Sequence, residues 1–388
     1  MVRLLQYNDK KIIKEFWFMY RASPKITTGL SVIALFLTSC ISSALGIATP
    51  VPTAVVEPAT ATPMVVPTAT AEPTVIPTLT PITMPEDLTV VPLVRGQVTG
   101  RPFAMMIDNH PDAYPQSGLN RASIVFEALA EYGITRFLAI FPPELAMDNR
   151  QLGPVRSARH YFVQWAMGMG AIYGHAGGSP AGLELAESTT EIVNVDALRD
   201  DTSVYFYRVE TAERFAPHNL YTNGAIMRQY VETEKITPTR TDVGYQYALP
   251  LPPEQRGPNA SIDYFFLYDD QPVGWTYDAT TNLYARTRYG KPAVDDVTQM
   301  QLTTQNVVII QVKEAPIEGD PKARIDQQVI GSGNGVFFHD GLRVDITWEK
   351  KTAEAPLLFY TADGAEVQFT AGQIWISAVP DLANISQS

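Results

Sequence analysis

Four of the five histidines in this chain of 388 residues fall between positions 110 and 218. Three of them stand in polar, loop-like settings: Asp108-Asn109-His110, His175-Ala176-Gly177-Gly178 and Pro217-His218-Asn219. Aspartate and histidine together supply general acid–base chemistry or hold a metal ion. Asp108 is therefore a candidate base or metal ligand, with His175 or His218 as its acid–base partner. The plainer reading gives each residue a local duty, since Asp and Asn are ordinary turn formers after a strand. As a set they favour function, provided they meet. Separations beyond about 8 Å would end a shared catalytic site, because catalytic groups need hydrogen-bond reach.

Arg156 and Arg159 carry the second kind of chemistry. They lie in Gly153-Pro154-Val155-Arg156-Ser157-Ala158-Arg159, read as the start of a helix with Ser157 as its N-cap. Residues three apart on a helix face one way. Two cations at the positive end of a helix call for an anion. A phosphate, sulfate or carboxylate on a ligand would supply it; Glu127, Glu131 or Asp108 would supply it from within. The Gly177-Gly178-Ser179-Pro180 turn offers backbone N–H groups at a second helix start. Asn109 and Asn219 complete the anion-binding candidates. Ser179, followed by proline, reads as a helix cap rather than a nucleophile. The chain holds no Gly-x-x-x-x-Gly-Lys-Ser/Thr, no His-Glu-x-x-His and no Gly-x-Ser-x-Gly. No cofactor, metal or oligomeric state follows from these residues.

The elements that must position them belong to an α/β or α+β unit. Phe103 to Ile107 is a continuous apolar run of strand length that ends at Asp108. Ile124 to Glu131 and Ile134 to Phe141 flank Tyr132-Gly133 and are read as a hairpin, although Glu127 to Glu131 also has helical propensity. His160 to Met169 reads as a helix, and Ala171 to Ala176 as a short strand. Ser179-Pro180 opens a second helix and Asn223 a third, running to about Lys235. In an open α/β sheet, ligands bind beyond the carboxyl ends of the strands. Asp108-Asn109 and His175 both fall at such ends. Prolines crowd 236–261, read as a connection. Beyond it, 262–388 is β-rich, with Asp340-Gly341 and Asp363-Gly364 as hairpin turns. Trp275, Trp348 and Trp375 could stack on sugars, but tryptophan in strands is more often core.

Upstream, the chain carries an address. Arg21 and Lys25 precede the apolar stretch Gly29 to Phe36, and Leu37-Thr38-Ser39 leads into Cys40, the single cysteine. This is the layout of a secretion signal, too short for a mature membrane span. The Leu-Thr-Ser-Cys ending resembles the lipobox of bacterial lipoproteins, in which Cys40 receives lipid. Residues 1–39 are then a signal peptide, with Met19 as an alternative start. Residues 40–92 are rich in Pro, Thr, Ala and Val and cannot bury a core. They form a stalk that, at about 3 Å per residue, reaches on the order of 150 Å. The folded part is then an α/β domain over 93–235, the connection and the β-rich domain. With 29 basic against 41 acidic side chains and a net charge of −12, nucleic acid is excluded as a broad partner. Acylation of Cys40 leaves no thiol for a disulfide or a cysteine metal site.

Several of these stretches resemble the YerB-like lipoproteins, a bacterial family of paired N- and C-terminal domains of unknown function. The resemblance rests on Ile107-Asp108-Asn109-His110, Pro115-Gln116-Ser117-Gly118-Leu119, Gly133-Ile134-Thr135-Arg136-Phe137 and Gly153 to Arg159. It continues through His175-Ala176-Gly177-Gly178-Ser179, Ala216 to Tyr221, Gly331-Ser332-Gly333, Ile346-Thr347-Trp348 and Gly372 to Ile376. It implies location and architecture but brings no reaction or ligand. The expectation is a membrane-anchored, extracytoplasmic protein that recognises an anionic envelope component such as wall glycan, peptide or phosphate polymer, or an envelope protein. A hydrolase or transferase using Asp/His or metal-assisted chemistry is the alternative. A small-solute binding lipoprotein is a third.

Overall fold

The structure, a computed structural model, describes residues 90–144, 149–211, 213–237, 242–258 and 260–388. Residues 1–39, read as a signal peptide, Cys40 and nearly all of the proline-rich stretch lie outside those residues.

A ten-stranded mixed sheet organises the molecule. Its first five strands are β1 (Phe103–Asp108), β2 (Ile124–Leu129), β3 (Thr135–Phe141), β4 (Ile172–His175) and β5 (Val193–Asp196). The later half adds β6 (Asn306–Gln311), β7 (Gly331–His339), β8 (Leu342–Lys350), β9 (Leu358–Thr361) and β10 (Ile374–Val379). The spatial order is β9-β8-β7-β6-β10-β2-β3-β1-β4-β5. The two halves meet at β10, which pairs in parallel with both β6 and β2. The fold is thus an α/β N-terminal half and a β-rich C-terminal half, and the two share one sheet. Within the connection, between Pro238 and Pro250, Gln246–Ala248 pairs with Gln368–Thr370, so part of that segment is woven into the later half.

Alternation along the central strands builds two cores. Ala104 and Met106 of β1 face one side, with Phe126, Leu138, Val308 and Ile376. Helix α1 (His160–Gly168) covers that side through Tyr161, Phe162 and Trp165. Phe103, Met105 and Ile107 face the other side, with Phe137, Ile309 and Trp375. A second sheet built on Ser261–Tyr264, Val273–Asp278 and Leu283–Arg288 packs there. A strand buried on both faces must be apolar at every position, which is why β1 and β6 read as continuous apolar runs. Trp275 and Trp375 meet edge to face at 5.2 Å, and Trp275, Trp348 and Trp375 are all buried, as core residues rather than sugar platforms.

Local expectations hold at several points. β2 and β3 form the antiparallel hairpin, turned by Tyr132 and Gly133 at positive φ. Asp340 and Gly341, also at positive φ, turn β7 into β8. Helix α2 (Pro180–Ser188) is capped by Ser179, whose hydroxyl accepts from the Gly182 N–H. Helix α3 (Gly224–Thr233) is capped in the same way by Asn223.

The stretch before α1 departs from expectation. Residues 153–158 run extended, and Ser157 caps nothing; Arg159 holds the N-cap position without a side-chain bond. The cause is tertiary pairing. The Arg156 N–H donates to the Met106 carbonyl and the Ala158 N–H to the Gly177 carbonyl, so these donors are committed across the chain rather than to a helical turn.

Candidate functional site

Asp108 ends β1, where the sheet stops and the chain must leave it. Its N–H donates to the Pro154 carbonyl at 2.8 Å and its carbonyl accepts from Gln116 Nε2 at 3.1 Å, which holds the backbone in place. The carboxylate Oδ1 accepts from the His110 N–H at 3.1 Å. Oδ2 meets His218 Nδ1 at 2.7 Å and Arg156 Nε at 3.2 Å. The Arg156 contact is an ion pair without hydrogen-bond alignment, since that Nε has no aligned acceptor. Asp108 is buried, and burial opposes its charge. The His218 bond, Arg156, Arg136 and the His110 N–H together outweigh burial and hold the carboxyl below its ordinary range.

His110 and His218 stack at 4.5 Å between ring centroids with an interplanar angle of 21°. His110 caps the short turn Pro111–Ala113, its Nδ1 accepting from the Asp112 N–H at 3.2 Å. Burial first, and His218 second, pull the His110 imidazole below the usual histidine value. His110, Asp112 and His218 bring donor atoms within 4.8 Å of one another.

A cavity of about 400 Å³ opens beside Asp108 and His110. Arg136, Arg156, Arg159, Lys322 and Arg324 line it, opposed only by the carboxylates of Asp108 and Glu131. Five cations against two anions make this wall positive in a chain of net charge −12. Arg136 is fixed on β3 opposite Asp108 in register. Glu131 pairs with Arg136 at 2.8 Å and with Arg159, and Arg136 also donates to the Ser157 carbonyl. Lys322 and Arg324 arrive from the turn before Ile325–Gln328, and Arg324 pairs with Asp320 at 2.7 Å. Arg156 beyond its Nε, and the Lys322 ammonium, have no partner among the described residues.

The expected site residues therefore divide. The structure brings Asp108, His218 and Arg156 together and places Arg159 on the same wall. His175 does not join them. It is fully buried, with Nδ1 bonded to the Gly177 carbonyl at 2.9 Å and Nε2 to Asn194 Oδ1 at 2.7 Å. Both ring nitrogens are thus spent on the fold. The glycine turn is likewise occupied: the Gly177 N–H donates to Asp196 Oδ1, and the Ser179 N–H to the Ala158 carbonyl. Of that turn, only Gly178 touches the cavity. Asn109 is buried and bonded to Thr135, Gln116 and Glu127; Asn219 Oδ1 accepts from Arg208. Asn109 thus braces its loop, while Asn219 Nδ2 is buried without a partner among the described residues; neither asparagine lines the cavity. Arg156 and Arg159 share the wall without sharing a helix face.

Residue-by-residue reading missed Arg136, Lys322 and Arg324. A charge at Arg136, inside an otherwise apolar strand, was a usable sign. Lys322 and Arg324 lie in an ordinary polar turn, about 200 positions from Asp108 along the chain, and offered none.

Comparison with known proteins follows the same outline. Residues 88–237 match the family described as "Protein of unknown function (DUF3048) N-terminal domain", and residues 262–376 its C-terminal domain. A Bacillus subtilis (strain 168) protein named "Putative lipoprotein YerB" is 33% identical over 292 residues, spanning 74% of this chain and 84% of that protein. A crystal structure of the YerB protein from Bacillus subtilis aligns with a TM-score of 0.66 at 30% identity, covering 77% of this chain and 99% of that one.

Proposed function

This chain belongs to the YerB-like family of paired DUF3048 domains, and from that premise we propose that it is a lipid-anchored, extracytoplasmic protein that recognises an anionic group of a cell-envelope polymer. Anchoring rests on the Leu37-Thr38-Ser39-Cys40 sequence and on the lipoprotein name of the relative. Recognition rests on one observation: a cationic cavity, fed by both halves of the chain, on an otherwise acidic protein.

The physical case is one of charge and commitment. Among the described residues, Arg136 and Arg159 share Glu131 as their one carboxylate partner, while Arg156 and Lys322 keep donors for a ligand. Planar guanidinium groups suit phosphate or carboxylate oxygens, and partial burial strengthens each contact. Wall glycan peptides and phosphate polymers carry such groups and lie within reach of a stalk rooted at Cys40.

The test is calorimetric titration of the full-length chain, held in detergent micelles, with inorganic phosphate and with a purified phosphate-bearing wall polymer. Saturable binding that Arg156→Ala and Lys322→Ala each weaken about tenfold, the scale of one charged hydrogen bond, supports the reading. Equal binding by the parent and both variants ends it.

The Asp108–His218 pair favours a second reading, hydrolysis or transfer beside the cavity, which Asp108 lines and His218 does not. An imidazole held at Nδ1 by a carboxylate presents Nε2 as a base. Turnover of envelope fractions that disappears in His218→Gln but survives in Arg228→Ala would establish it.

A further inference from the structure

We propose that His110, Asp112 and His218 form a binding site for one divalent transition-metal ion of the zinc class, at the edge of the cationic cavity. The site needs no anion in that cavity and stands apart from the recognition reading.

His218 comes prepared. The 2.7 Å contact with Asp108 Oδ2 occupies His218 Nδ1, so Nε2 is the ring nitrogen left for a ligand. A carboxylate behind the imidazole is the arrangement by which metal-binding histidines are oriented and made more basic.

His110 and Asp112 supply the other donors. His110 Nδ1 lies 3.6 Å from Asp112 Oδ2. Two donors about 2.1 Å from one ion at a tetrahedral angle sit about 3.4 Å apart, so this pair is already near its bound spacing. The stacking of His110 on His218 brings a ring nitrogen of His218 into the group, one donor atom from each residue lying within 4.8 Å of the others. Closing the remaining gap needs a side-chain adjustment on the order of 1 Å, and Asp112 is exposed and able to make it. An ion at His110 Nδ1 replaces the bond from the Asp112 N–H, which solvent can then satisfy.

Burial grades from His218, buried, through His110 to Asp112, exposed. One side of the group is therefore open, which gives an ion a way in and leaves coordination positions for water. Two imidazoles and one carboxylate suit zinc and its neighbours better than magnesium or calcium, which prefer all-oxygen sites. Arg156 works against a cation here, and the Asp108 and Asp112 carboxylates offset it.

The test uses the full-length chain, stripped with a chelator and titrated with zinc chloride alone, then with cobalt chloride followed by visible absorption. The expected result is one ion per chain and the intense bands of low-symmetry cobalt. His110→Ala and Asp112→Asn, both at solvent-accessible positions chosen to spare the fold, each weaken binding at least tenfold. Asp108→Asn weakens it by about 10- to 100-fold through the histidine it orients. His160→Ala, whose ring pairs with Asp326 and not with the group, leaves it unchanged. No saturable binding, or parental affinity in both His110→Ala and Asp112→Asn, overturns the proposal.

Discussion

Nδ1 of His218 lies 2.7 Å from Oδ2 of Asp108, although 110 positions separate the two residues. The strand end of β1 sets one partner, and the loop before the Leu220–Asn223 strand sets the other. Their meeting makes Asp108 a buried ionised carboxylate, in addition to the turn bond its Oδ1 takes from the His110 N–H.

A pH dependence follows from the direction of the Asp108 shift. Its folded pKa is below the ordinary 3.8. Its contribution to stability is therefore complete above that value and is lost as pH falls through the lower folded pKa. Urea midpoints of the parent should exceed those of Asp108→Asn at pH 7, and the gap should narrow below about pH 4. A gap that stays constant to pH 2.5 would show that the carboxylate's charge is not what stabilises it.

Glu127 should be the most damaging single acid to remove. It is fully buried, accepts from Arg286 at 3.0 and 2.9 Å, and also meets Trp375 Nε1 and Thr135. Arg286 lies over the Trp375 ring at 4.4 Å and comes from the later half of the chain. Glu127→Ala strands this guanidinium in the core, at a cost of about 3–5 kcal/mol. Equilibrium unfolding measures it, and a loss below about 1 kcal/mol would refute the assignment.

Gly153 holds the segment that carries Arg156. Its φ is +145°, and an added Cβ would sit 2.8 Å from the Leu220 carbonyl oxygen and 2.7 Å from a Tyr221 ring carbon. Gly153→Ala should cost about 1–3 kcal/mol and weaken phosphate binding in the same protein. Calorimetry on the variant checks both, and unchanged phosphate affinity would separate the glycine from the site.

Lys322 should act on binding alone. Its side chain lines the cavity with no partner among the described residues, so Lys322→Glu lowers phosphate affinity by about tenfold or more with little change in melting temperature. A large melting shift would mark it as structural.

Cys40→Ser tests the anchor. The variant should move from the membrane pellet to the soluble fraction and lose incorporation of labelled lipid. A membrane-bound variant would point to retention by the uncleaved signal segment.

The sequence by itself determined most of the central strands, the hairpin turns, the cap at Ser179 and the helix start at Asn223, because those depend on periodicity and on backbone groups a few residues away. It also determined the family, through many short blocks in order, and it marked Asp108, His218 and Arg156 by residue type. Only the tertiary structure decided which of these meet. His175 resembles His218 on the page, yet its partners, Gly177 and Asn194, consume both nitrogens. The stretch from Gly153 to Arg159 has the residues of a helix start but pairs with β1 and with Gly177, because a hydrogen bond across the sheet removes the donor a helix would use. Lys322 and Arg324 enter the cavity only because parallel pairing through β10 joins the two halves into one sheet. Such pairing is set by packing between residues far apart in the chain, and no local pattern in one sequence records it.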